Sequence, residues 1–188
     1  DGEIVDKIIQ AIKRADRIIQ NLLDASRAGA GQPMNLVYRE GDLGVEIAEV
    51  VKDLVLQYGD RFRFEARGDL VGVWAADVLR RVLENLAINA VKYGANDQPV
   101  QIQLTRNGDT IVLSVENEGN PISLEEQQAL FQLFKRGKPA EINGVPGWGL
   151  GLSVVLAAAH ALHGHVDVES GPSIGTTFRL EFPKENPS

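Results

Sequence analysis

Asn85-Leu86-Ala87-Ile88-Asn89-Ala90-Val91-Lys92-Tyr93 places two carboxamides four residues apart, with a lysine three residues beyond the second. On a helix such positions share one face. Carboxamide oxygens are hard ligands suited to Mg²⁺, which keeps several waters and takes its other ligands from phosphates. Lys92 can reach the same phosphates as a point charge. Asparagine is a poor helix former inside a run such as Leu83–Val91, and a merely solvated face would more cheaply carry Glu or Lys. The pair therefore reads as a site.

A second stretch completes it. Gly147-Trp148-Gly149-Leu150-Gly151-Leu152 alternates glycine ahead of an apolar helix. A lone alternation of this kind is weak evidence. Here it precedes a helix start, where free N–H groups and a partial positive charge receive anions. It also follows the polar segment Lys135–Gly147, which carries Lys135, Arg136 and Lys138 and reads as a mobile lid over a polyphosphate. Together the two stretches describe a site for a magnesium–nucleotide complex.

Working outward, residues 2–26 predict one long helix. Ile4, Ile8, Ala11, Ala15, Ile18, Leu22 and Ala25 recur at spacings of three and four, and Val5, Ile9, Ile12, Ile19 and Leu23 widen the stripe. Such a stripe needs other helices to cover it, and its width favours a bundle over packing on its own domain. Ala28-Gly29-Ala30-Gly31-Gln32-Pro33 breaks the helix, dividing the chain into 1–29 and 30–188.

Beyond the break the pattern is mixed. Strands are expected at Asn35–Arg39, at Phe62–Ala66 and Val71–Trp74 (a hairpin across Arg67-Gly68-Asp69), at Val100–Arg106 and Thr110–Asn117 (a hairpin), and at His165–Ser170 and Thr176–Phe182 (a hairpin). Helices are expected at Leu43–Tyr58, Ala76–Tyr93, Leu124–Phe134 and Leu150–His163. The sum is an α+β two-layer sandwich, one mostly antiparallel sheet with helices on one face, preceded by a long bundle helix.

Composition sets the outer limits. The 188 residues can bury a substantial core. A net charge of −7 argues against a broad grip on nucleic acid. Without cysteine there is no disulfide and no thiolate site, which fits a reducing, cytoplasmic setting. No apolar run approaches the ~20 residues that span a bilayer, so no membrane contact is expected. The chain begins mid-helix in character and reads as a fragment.

Val115-Glu116-Asn117-Glu118-Gly119-Asn120-Pro121-Ile122 ends an apolar strand with a polar side chain and a glycine turn. Asn117 can accept from an exocyclic amine. With this stretch in place, the order N-x-x-x-N-A-x-K-Y, V-x-N-x-G-x-P-I, F-x-x-F, G-x-G-L-G-L and G-T-T-F resembles the catalytic ATP-binding domain of sensor histidine kinases, in the GHKL ATPase superfamily. The resemblance covers roughly residues 33–184. Ile18-Ile19-Gln20-Asn21-Leu22-Leu23-Asp24 resembles the second helix of that family's dimerisation and phosphoacceptor bundle.

The resemblance implies ATP and Mg²⁺ as ligands, with Asn89 holding the metal and Asn85, Lys92 and Tyr93 lining the phosphate and ribose side. It places Asn117 at adenine, backed by Thr177, with Gly119 and Ile122 among the nucleotide-binding residues. Phe131 and Phe134 would anchor the lid, and Arg136 would approach the γ-phosphate. Gly147, Gly149 and Gly151 would wrap the phosphates, with Leu150 and Leu152 among the nucleotide-binding residues. It implies transfer to a histidine, onward relay to a response regulator, and a homodimer through the leading helix.

Three features depart from the family. Asn117 stands where Asp is usual, Pro121 where Gly is usual, and Trp148 interrupts the glycine loop. They motivate an alternative, a non-catalytic kinase-like module that binds nucleotide or docks proteins. In related hydrolytic ATPases a general-base Glu occupies the position of Asn85. An amide cannot deprotonate water, and Glu84 points about 100° away, so phosphotransfer is favoured over hydrolysis. The three histidines, His160, His163 and His165, all lie far from the leading helix, so the phosphoacceptor is expected outside this chain.

Overall fold

The computed structural model describes residues 2–29, 32, 34–130 and 151–184. The leading helix α1 (Gly2–Gly29) is followed by β1 (Arg39–Asp42) and α2 (Leu43–Tyr58). Then come β2 (Phe62–Arg67), β3 (Val71–Trp74) and α3 (Ala76–Tyr93). The hairpin β4 (Val100–Asn107) and β5 (Thr110–Asn117) precedes α4 (Leu124–Ala129). Helix α5 (Gly151–Ala161) leads to the last hairpin, β6 (His165–Gly171) and β7 (Gly175–Pro183).

Five strands form one sheet in the order β2-β4-β5-β7-β6, antiparallel except for the parallel pair β2 and β4. Alternation decides its sides. Ile111, Leu113 and Val115 of β5, and Phe178, Leu180 and Phe182 of β7, are buried on the side that α3 and α5 cover. Their neighbours Ser114, Glu116, Arg179 and Glu181 turn outward, as the two-residue period of a strand requires. Local chemistry fixes the joints. Asp42 caps α2 by accepting from Gly44 N at 2.8 Å, and Gly59 leaves the helix at φ 86°. Gly108 turns the β4–β5 hairpin at φ 64°, the glycine-first two-residue turn.

Two expectations are corrected. β2 and β3 do not form a hairpin: β2 joins the main sheet beside β4, while β3 pairs antiparallel with β1 in a separate two-stranded sheet. Trp74 explains the separation. Its Nε1 donates to Leu70 O at 2.9 Å and Gly41 O at 3.2 Å, tying β3 back onto β1. The strand expected at Asn35–Arg39 lies instead at Arg39–Asp42. Of the helix expected at Leu124–Phe134, α4 covers Leu124–Ala129; Phe134 and the expected lid lie outside the described residues.

Candidate functional site

Asn85 and Lys92 are buried, Asn89 is half-buried and Tyr93 is exposed. The Lys92 ammonium sits 5.0 Å from the centre of the Tyr93 ring, within the range of a cation–π contact. Where α3 ends, the chain is tied to the end of β5. Gly94 bridges to Gly119, and Ala95 N donates to Glu118 O at 2.6 Å. The closeness is why both are glycines. A Cβ on Gly94 would lie 2.4 Å from Ala90 O and 2.9 Å from Asn117 Nδ2, and one on Gly119 would lie 2.9 Å from Tyr93 O.

Asn117 is buried at the end of β5, and its Nδ2 donates to Glu118 O at 3.2 Å. Turning the amide over would set two carbonyl oxygens against each other. Its Oδ1 is therefore the group left to accept a donor, as recognition of an exocyclic amine needs. The position opposite is a correction to the sequence reading. Thr176, not Thr177, pairs with Asn117 across the β5–β7 ladder, whereas Thr177 pairs with Glu116 on the outer side. Thr176 is buried and its hydroxyl lies 2.7 Å from Ser170 Oγ. Ile122 N also donates to Ser170 Oγ, at 2.9 Å, and Gln127 Nε2 bonds both Ile122 O and Ser170 O. The turn after Gly119 is thus fastened to the end of β6.

Gly151, the first residue of α5, approaches α3 so closely that a Cβ there would lie 2.9 Å from Asn85 Oδ1. The α5 start, Leu152 included, therefore adjoins the carboxamide face. Asn85, Asn89, Lys92 and Tyr93 lie on α3, Asn117 ends β5, Gly119 and Ile122 lie in the loop after it, and Gly151 and Leu152 open α5. Phe131, Phe134, Arg136, Gly147, Gly149 and Leu150 lie outside the described residues. His160 and His163 are exposed at the end of α5.

The sequence reading missed several supporting groups. Arg61 donates to Ala95 O at 2.6 Å and Gln98 O at 3.2 Å, holding the loop after α3. Asn21 and Asp24 of α1 reach α3 at Asn85 and Arg81. These pairs join residues distant in the chain, and the only local hint was a pair of polar residues inside an apolar stripe. His165, Asp167 and Glu181 gather on the outer face of the sheet, but Asp167 is paired with Arg179 and Glu181 lies near His165.

Residues 75–186 match the family described as Histidine kinase-, DNA gyrase B-, and HSP90-like ATPase. Sensor protein IrlS of Burkholderia pseudomallei is 27% identical over 188 residues, covering 96% of this chain and 39% of its own. Sensor histidine kinase GlrK of Escherichia coli is 29% identical over 189 residues, covering 96% of this chain and 38% of its own. The chain thus spans about two fifths of the length of these curated relatives. The solved histidine kinase AdeS of Acinetobacter baumannii superposes with a TM-score of 0.66 at 20% identity, over 99% of this chain and 86% of its own, a likeness of fold. The chain belongs to the histidine kinase-, DNA gyrase B- and HSP90-like ATPase family, as an ATP-binding catalytic domain of the sensor histidine kinase kind.

Proposed function

We propose that this chain is the kinase engine of a two-component sensor, passing the γ-phosphate of ATP to a histidine outside the chain for relay to a response regulator. The observation that carries the reading is the junction of α3 with β5. The Gly94–Gly119 bridge joins the carboxamide face to the base-reading Asn117, while Gly151 brings the α5 start against the same face. Base, ribose and phosphates thereby have contiguous partners. Asn117 Oδ1 would accept from the adenine amine. Thr176 would back the base in place of Thr177. Asn85, Lys92 and Tyr93 would line the phosphate and ribose side, and Arg136 with the glycine loop would close over the phosphates.

Asn89 fits Mg²⁺ by donor chemistry: its carboxamide oxygen is a hard ligand, half-buried one turn beyond Asn85. Bound there, the metal would offset phosphate charge. Lys92 supplies a fixed positive charge of the same sense from the protein side. An amide at Asn85 provides no base for water, which favours transfer over hydrolysis. We assign residues 1–29 to the dimerisation bundle and 30–188 to the catalytic domain, in a cytoplasmic setting. Among the described residues no helix is long and apolar enough to cross a membrane.

The test is calorimetry with ATP, with and without Mg²⁺. The unmodified chain should bind more tightly with the metal, and Asn89→Ala should lose that increment. A variant that keeps the full metal-dependent affinity would remove Asn89 from the site.

A further inference from the structure

The Asn85 carboxamide is engaged by α1. Its Oδ1 accepts from Asn21 Nδ2 at 3.0 Å, and its Nδ2 donates to Arg81 O at 2.8 Å and reaches Asn21 Oδ1 at 3.4 Å. The side chain is 6% exposed, with Gly151 closing its other side. Three residues further along α1, Asp24 is 5% exposed and paired with the Arg81 guanidinium, one turn before Asn85 on α3. The two helices thus run in opposite directions past each other. α1 also packs against α5, while its earlier turns leave Ile4, Ile8 and Ile12 exposed. A buried carboxylate is tolerated only with its partner, so Asp24 ties α1 to Arg81 in this register.

We propose that the end of α1 is a latch on the nucleotide helix, and that its docking opposes nucleotide binding. While Asn21 and Asp24 hold Asn85 and Arg81, both polar atoms of the Asn85 carboxamide are occupied and Gly151 is pressed against it. A nucleotide that uses Asn85 must displace Asn21. Coupling of this kind is reciprocal, so nucleotide must loosen α1 by the factor by which α1 weakens nucleotide. The latch rests on the reading of Asn85 as a nucleotide contact.

Calorimetry with Mg²⁺–ATP and hydrogen exchange over residues 19–27, both on the full chain, test it. Asn21→Ala with Asp24→Ala should speed exchange there and raise ATP affinity about fivefold or more, the lower end of ordinary coupling. Asp24→Asn, which keeps the side-chain volume, should move both readouts the same way by a smaller factor. Exchanging the charges, Asp24→Arg with Arg81→Asp, should restore slow exchange and the lower affinity. In the unmodified chain, adding Mg²⁺–ATP should speed exchange over 19–27. Faster exchange in the double variant with ATP affinity unchanged or reduced would overturn the latch. So would unchanged exchange, since the two pairs would then not hold the helix. Folded chains that bind no ATP, unmodified and double variant alike, would instead overturn the nucleotide reading beneath it.

Discussion

Gly94 shows how one residue can carry both structure and site. Its φ of −78° is open to any residue, so its smallness answers to contact rather than to backbone freedom. Gly94→Ala would force a Cβ onto Ala90 O and Asn117 Nδ2. Overpacking of this kind costs about 1–3 kcal/mol. We expect a lower melting temperature together with weaker ATP binding, because the displaced neighbour is Asn117. A variant that melts lower but binds ATP as before would separate the junction from the base pocket. Asn117→Ala should lose about 1 kcal/mol of ATP affinity, the worth of one neutral hydrogen bond, and calorimetry reads it directly. At this scale the motif residues of α3 and β5 were legible because each type has a distinct chemistry. Thr177 was misassigned because neighbouring threonines in a strand face opposite sides, and only the β5–β7 register decides which one faces Asn117.

Among the elements, α2, α3 and the β4–β5 hairpin stand where their periodicity and turn residues put them, since local propensity and burial agree there. The β2–β3 hairpin fails for the converse reason. Arg67-Gly68-Asp69 has good turn chemistry, but Phe62 and Leu70 bury in the core and Trp74 ties β3 to β1. A parallel partner such as β4 leaves no local signature. α4 is set by a capping box: Ser123 Oγ accepts from Glu126 N at 3.3 Å while the Glu126 carboxylate accepts from Ser123 N at 3.2 Å. The Ser123 hydroxyl, then its backbone N–H, hold the Glu126 carboxyl below its usual range. A depressed folded value stabilises above the unfolded pKa and is lost as pH falls through the folded one. The protection of the amides of residues 124–129, taken relative to their intrinsic exchange rate at each pH, should therefore fall below about pH 4, the ordinary range of a glutamate. Glu126→Gln should remove that pH dependence. Ser123→Ala should weaken the helix by about 1 kcal/mol.

The whole molecule raises the question of what covers α1. Its stripe was legible as an apolar face, but its neighbours were not, because the pairs that dock it, Asn21–Asn85 and Asp24–Arg81, join residues distant in the chain. Ile4, Val5, Ile8, Ile9 and Ile12 remain between 44% and 63% exposed. Fully burying an Ile is worth about 1.5–3 kcal/mol, so several together exceed the lower end of the ~4–15 kcal/mol that association costs. The long helices of two chains should accordingly pair, with the ATP-binding domains outside. Ile8 and Ile12 are the residues to change, since Ile18 is already partly covered and Asn21 lies more than two turns beyond Ile12. Ile8→Glu with Ile12→Glu should give monomers in sedimentation while ATP affinity stays within about twofold, as distant, unconnected sites do not couple. An unmodified chain that sediments as a monomer at high concentration would refute pairing. A double variant that dissociates and also changes ATP affinity would show that pairing and the Asn21–Asn85 contact are one equilibrium, with the dimer setting how tightly nucleotide binds.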